Sequence, residues 1–314
     1  MDPWIIGLVA VSAVLHLAWN VRLKTAGDPL RAATIGMLAA SVVIVPLGFA
    51  VWWAGGHIAL PIEGLVLGVG SGAVEAAYFI LLSAAYRRGD LSVVYPVARG
   101  TAPLLAVIIG VVVLGERLGV AGSIGVMMLL AGFLVLQRPW RAIAMARSGG
   151  GGVGGSAGAR AAAAGARKAA ADSAILFALA TGVMIATYSA IDRVGTQHID
   201  VVVYAAILWA TCSILLVAWV AFVAGGDLLR YGSEAARRAA VGGLLTLVAY
   251  LCILVALSVA PLSGVAPLRE SATVFAAAWG AVMLGEASDR FEAARRIGAS
   301  VLIVGGALLL AVGS

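Results

Sequence analysis

Long apolar runs, broken by short polar segments, dominate the pattern along this chain. They fall at about 4–22, 32–54, 64–86, 92–114 and 118–136, and after a break at about 173–192, 199–223, 239–260, 262–284 and 295–313. A helix needs about 20 apolar residues to cross a hydrocarbon core of ~30 Å, so the pattern predicts ten transmembrane helices, five on each side of the break. Ten-residue stretches of alternating polarity, which a membrane barrel requires, are absent. The expected fold class is therefore an all-α integral membrane protein. The break at 137–172 holds Gly149 to Gly152, Gly154, Gly155 and an Ala/Arg-rich tract ending near Lys168. Its glycine-rich first part reads as a flexible linker and its alanine-rich part is compatible with a surface helix, between a first five-helix unit at 1–136 and a second at 173–314.

Polar residues inside the runs repeat. Tyr95-Pro96-Val97-Ala98-Arg99 with Leu114-Gly115-Glu116 is echoed by Ala266-Pro267-Leu268-Arg269 with Leu284-Gly285-Glu286, at an offset of 170–171 residues. Trp19-Asn20 with Lys24 is echoed more faintly by Tyr188-Ser189 with Arg193 at an offset of 169. Five spans is an odd number, so the second unit enters the membrane from the opposite side, and the two units are expected to be inverted repeats.

Composition agrees: 62% of residues are hydrophobic, 11% are charged and the mean hydropathy is +1.06, against about 25% charge in a soluble domain. The net charge of +6 does not indicate a nucleic-acid partner, because the basic residues lie in loops between apolar runs. Seventeen Lys and Arg fall on the side reached after the first span, and two, Arg117 and Arg193, on the other. The positive-inside rule then makes the chain a multi-pass plasma-membrane protein with both termini outside. The bias survives removal of the linker, at 11 against 2. Cys212 and Cys252 read as small buried hydrophobes. No residue spacing indicates a metal or another cofactor.

Candidate chemistry lies in the charged residues within the spans. Arg99 and Arg269 each stand seven residues into a span, about 10 Å from its start, where an arginine costs roughly 2.5–3.5 kcal/mol. Glu270 neighbours Arg269, and Glu75 stands eleven residues into the third span. If these charges face one interior, they form a central site in which an arginine meets an anionic group of a substrate, a task that suits its bidentate fork. The alternative is a set of interior ion pairs that fix helices and never touch a ligand. Pro96, Pro103 and Pro267 interrupt the same helices and are candidate hinges or passive kinks. His16, Trp19 and Asn20 share a face of span one, and Tyr78, Tyr95 and Tyr188 are expected along the path. A proton-coupling group would be His16 or, better, Glu75, since a carboxylate removed from water holds its proton more tightly. Glu116 and Glu286 read as interfacial carboxylates. Gly64, Gly68 and Gly72 read as a ridge for close helix packing, and Trp4, Trp52, Trp53, Trp140 and Trp219 as interfacial anchors.

The chain resembles the drug/metabolite transporter superfamily, in particular its ten-helix members with two EamA-type repeats. The resemblance rests on His16-Leu17-Ala18-Trp19-Asn20 with Lys24, on Gly89 through Pro96, on Pro103 through Leu114-Gly115-Glu116, on Pro267-Leu268-Arg269-Glu270 and on Leu284-Gly285-Glu286. It implies a secondary carrier of small metabolites, often an exporter, with a cavity lined by spans one, three, four, six, eight and nine. Such members usually keep both termini in the cytoplasm, against the charge bias here. The expected function is alternating-access transport of a small anionic or zwitterionic metabolite, with the bilayer and a coupling proton as its other partners. A lipid-linked sugar flippase of the same fold is the alternative. A membrane enzyme or scaffold would need a nucleophile–base pair or metal cluster, which the scattered His16, His57 and His198 do not supply.

Overall fold

In the computed structural model the described residues are 2–24, 27–89, 91–138, 140, 143–144, 157–224, 232–269 and 290–312. They form helices α1 (Pro3–Lys24), α2 (Pro29–Ala54), α3 (Ile62–Arg88), α4 (Leu91–Ile108, continued by a π-helical turn, Ile109–Val113), α5 (Val120–Gln137), α6 (Ala157–Gly195), α7 (Val201–Ala224), α8 (Ser233–Val259), α9 (Leu262–Arg269) and α10 (Arg290–Val312). Five stretches are long and apolar enough to cross a membrane: α2, α3, Ala169–Gly195 of α6, Val201–Val223 of α7, and α8. Pro3–His16, Val97–Val113, Val120–Val135 and Gly298–Leu310 are shorter apolar stretches. Residues 270–284, the rest of the expected ninth span, lie outside the described residues.

Local sequence sets the helix ends. Asp28 caps α2 by accepting from the N–H groups of Leu30 (3.1 Å) and Arg31 (3.2 Å), and Pro29 occupies the first turn, where its missing donor costs nothing. In α3, Glu63 sits in the first turn and Arg87 and Arg88 in the last, each complementing the helix dipole. Pro261 opens the turn into α9, and the N–H groups of Gly264 and Val265 both donate to its carbonyl. That turn makes α8 and α9 two helices rather than one.

The second half of the linker has a regular structure. Its alanine-rich part is helical from Ala157 and runs unbroken into the sixth span, giving one helix of 39 residues. Alanine's high helix propensity explains why no break intervenes. The glycine-rich part, 145–156, lies outside the described residues.

The principal packed pairs are α3 with α6 and α8 with α1; α4 with α6 and α9 with α1; α2 with α8 and α7 with α3; and α2 with α7, α4 with α9 and α5 with α10. Replacing each helix by the one five places along carries this set onto itself. Small residues allow the closest approaches. Gly72 and Gly68 of α3 lie against Leu208, Thr211 and Ile207 of α7, and a Cβ on Gly243 of α8 would collide with the backbone of Gly36 in α2. One apolar core runs through α1–α4 and α6–α9, and a smaller one, with Val126, Leu129, Leu130, Ile303 and Leu310, joins α5 to α10. Outward faces expose Val42, Val66, Val112, Ile214 and Phe222 by more than half, an apolar surface suited to lipid. Trp4, Trp53, Trp140 and Trp219 are exposed too, as interfacial anchors would be.

Candidate functional site

Helical periodicity brings polar residues to the centre of the bundle. On α3, Ser71, Glu75, Tyr78 and Leu82 recur at three- and four-residue steps and are all buried. On α6 the corresponding stripe is Thr181, Ile185, Tyr188, Ser189 and Asp192, and on α8 it includes Thr246, Tyr250 and Ile253. Because α3 and α8 both pack on α6, the three stripes converge.

Asp192 is the best-satisfied group there. It is 0% exposed, and its carboxylate accepts from the hydroxyls of Ser71 (2.5 Å), Tyr204 (2.8 Å) and Tyr250. The donors come from α3, α7 and α8, so one side chain on α6 ties four helices together. Three hydroxyl donors satisfy the carboxylate's hydrogen bonding, and it lies within electrostatic range of Arg269.

Glu75 is the opposite case. It is 4% exposed, and its Oε2 has no hydrogen-bond partner among the described residues; the same holds for Trp19 Nε1, Ser189 Oγ and Trp209 Nε1. An unmet buried polar group costs about 1–3 kcal/mol. Several such groups together fit a centre that a polar ligand or water completes.

Both arginines reach this centre. Arg99 is 8% and Arg269 5% exposed. Each acts electrostatically on His16 and Tyr188, and Arg269 also on Glu75 and Asp192. Aromatic rings bridge the space edge to face, from Trp19 to Phe79 (6.4 Å between centroids), Phe79 to Tyr78 (4.8 Å), Tyr78 to Tyr188 (5.9 Å) and Tyr188 to Tyr250 (5.8 Å). Beside them a recess with room for about one water molecule is lined by Tyr78, Leu82, Tyr86, Ala98, Arg99, Thr181 and Ile185.

The chain matches the model of the EamA-like transporter family over residues 2–138 and again over 172–312. It belongs to that family. This EamA-like chain is thus a membrane transporter of the drug/metabolite superfamily, as its motifs suggest. A solved crystal structure, described only as that of a protein, is 20% identical and covers 98% of this chain and 96% of its own, with a TM-score of 0.64. At that identity the likeness is one of fold. No curated protein matches.

In this EamA-like transporter Arg99, Arg269, Glu75, Trp19, Tyr78 and Tyr188 are all buried, on α4, α9, α3, α1, α3 and α6. His16 is half-buried; its Nδ1 lies 3.2 Å from the Ser12 carbonyl one turn earlier, and its ring is edge-on to Trp19 at 6.3 Å. Glu270 lies outside the described residues, as do the side chains of Asn20, Tyr95 and Pro96. The α4 backbone is helical across Pro96 and Pro103, and α9 across Pro267. Pro103 still leaves the carbonyl of Arg99, four residues back, without its helical donor. Glu75 lies within electrostatic range of both Arg269 and Asp192. Asp192 and Trp209 were not anticipated. Placing the end of span six at 192 made Asp192 a terminal residue, whereas α6 continues to Gly195. Its four-residue spacing from Tyr188 was the available signal.

Proposed function

We propose that this protein is a secondary carrier, acting as an exporter in the plasma membrane, for a small anionic or zwitterionic metabolite. It works by alternating access, two inverted five-helix halves rocking about a midplane site. The observation that carries this reading is the buried pair Arg99 and Arg269, at equivalent places in the two repeats, on helices α4 and α9 that pack together. Charge at such depth is expensive unless it is used. The exchange symmetry of the helix pairs supports the inverted repeat, and the odd number of spans per half supplies the inversion.

In this reading the arginines take the anionic group of the substrate. Trp19 and Ser189 offer hydrogen bonds, Tyr78 and Tyr188 form the walls, and Asn20, Tyr95 and Glu270 complete the lining. Pro96, Pro103 and Pro267 serve as hinges. Asp192 holds the four helices in register and offsets part of the positive charge. Glu75, with an oxygen free to take a proton or an ammonium group, is the coupling residue, with His16 beside it.

Flux in proteoliposomes, after a thermal-shift screen of metabolites for a ligand, tests the reading. Arg99→Ala and Arg269→Ala are expected to lower flux at least a hundredfold while inserting normally, and the Lys variants to restore little of it, since Lys lacks the planar fork. Full flux in both Ala variants overturns the reading. Movement of a lipid-linked sugar in place of soluble metabolites would favour the flippase alternative. Glu75→Gln is expected to abolish the dependence of net flux on a pH gradient and to leave exchange down a substrate gradient intact.

A further inference from the structure

The repeated Leu-Gly-Glu motif has a defined structural role in its first copy. The π-helical turn at Ile109–Val113 is capped by Leu114 and followed by Gly115, whose φ of +67° lies in the left-handed region that glycine tolerates. The chain then folds back, and the Glu116 N–H donates to the Gly110 carbonyl at 2.9 Å. The Glu116 side chain, only 9% exposed, reaches under the turn between α8 and α9. Its Oε1 accepts from the N–H of Leu262 (2.6 Å) and its Oε2 from that of Ser263 (2.9 Å). A carboxylate from a distant part of the chain therefore caps the α9 N-terminus, where both hydrogen bonding and the helix dipole favour it.

Arg193, at the end of α6, completes the arrangement. Its Nε lies 3.7 Å from Glu116 Oε1, and its Nη1 donates to the Leu257 carbonyl at 2.5 Å near the end of α8. Gly110 is what admits the carboxylate, because a Cβ there would collide with Glu116 Oε2 and press on the Ser263 nitrogen. The ends of α4, α6 and α8 and the start of α9 are thus joined at one face of the bundle, the face that carries Arg193. The recess beside Arg99 lies away from that face, between the second half of α3 and the middle of α4 and of the membrane-spanning part of α6.

We infer that Glu116, held by Arg193 and by the α9 N-terminus and given room by Gly110, is the gate that closes the carrier at the Arg193 face. It must release before the central site opens there. The inference rests on the alternating-access reading and adds the closing device to it. Each contact is one that water can replace once the helices part: two backbone donors, a carboxylate and a guanidinium all hydrate well. Such a staple holds a closed state without trapping it.

The test uses the full chain in sealed vesicles of known orientation. Cys212 and Cys252 are replaced by Ala, and Ser189→Cys, one turn below Arg193, serves as reporter. A membrane-impermeant thiol reagent is applied at the Arg193 face. Glu116→Gln and Gly110→Ala are expected to speed labelling at least tenfold over the gated parent, the first by removing charge and the second by displacing the carboxylate with every charge kept. Arg193→Met, which leaves the α9 cap in place, is expected to have a smaller effect of the same sign, and it decides the matter if the other two do not fold. Labelling within twofold of the parent, in variants that unfold at the parent's temperature, overturns the gate. No substrate is needed, so the two readings fail separately. Flux is measured in the chain with native Ser189: faster labelling without flux of any metabolite leaves the gate and removes the carrier reading, and unchanged labelling with intact flux does the reverse.

Discussion

At the scale of single residues, the molecule separates carboxylates by the number of donors each is given. Asp192 receives three hydroxyls from three neighbouring helices, while Glu75, one turn from Ser71 on the same face, keeps an oxygen with no donor among the described residues. Removing Asp192 would leave the Ser71 and Tyr250 hydroxyls without an acceptor among the described residues, at about 1–3 kcal/mol for each unmet group, and Tyr204 with only its long contact to the Leu67 carbonyl at 3.4 Å. Asp192→Ala is therefore expected to lower thermal stability in detergent markedly, with Asp192→Asn intermediate; Glu75→Gln should leave stability within about 1 kcal/mol, because it breaks no hydrogen bond of Oε2. Scanning fluorimetry of the purified variants reads this contrast. The sequence displayed Arg99, Arg269 and Glu75 plainly, because a charge inside an apolar run is conspicuous. It hid Asp192 beside Arg193, where a pair of opposite charges at a span end looks interfacial. The capping role of Glu116 was not legible either, since its partners are 146 and 147 residues away.

At the scale of elements, the apolar runs located the helices well, and the departures have local causes. Alanine propensity extends α6 back to Ala157, and the π-turn at Ile109–Val113 ends the regular part of α4 before the expected boundary at 114. A π-turn inserts one residue into the helical register and often marks a functional position; here it aims Gly110 and Glu116 at α9. The glycine ridge on α3 serves packing: Gly68 and Gly72 lie on α7, and Gly64 on His198 and Ile199 just before it. The Gly36 and Gly243 contact is closer, backbone against backbone. Gly243→Ala is expected to push α2 and α8 apart and to cost about 1–3 kcal/mol, more than Gly242→Ala on the adjacent position, where a Cβ meets open space. Paired melting curves of the two variants test the difference.

At the scale of the whole molecule, the expected architecture depended on a repeat offset, an odd number of spans per half and a charge bias, all sequence properties. How the halves meet was beyond their reach, because the same offset is compatible with two side-by-side bundles. In the structure the halves interleave, α3 against α6 and α1 against α8, so neither buries its polar stripe without the other. The proposed orientation has its own test. On intact cells an impermeant thiol reagent should label Ser314→Cys and spare Arg147→Cys, and the reverse result would return both termini to the cytoplasm.

The glycine contacts have a mechanical consequence. Gly72 meets the Leu208 carbonyl and Gly243 meets that of Gly36, at equivalent places in the two seams between the halves, α3 with α7 and α2 with α8. Interdigitated side chains resist sliding because each knob must leave its hole, whereas smooth backbone has little to disengage. The seams therefore resemble plain bearings. The friction of the proposed rocking motion would lie elsewhere, in the polar staple at one end, so the strength of that staple and not the repacking of a core would set how fast the molecule turns over.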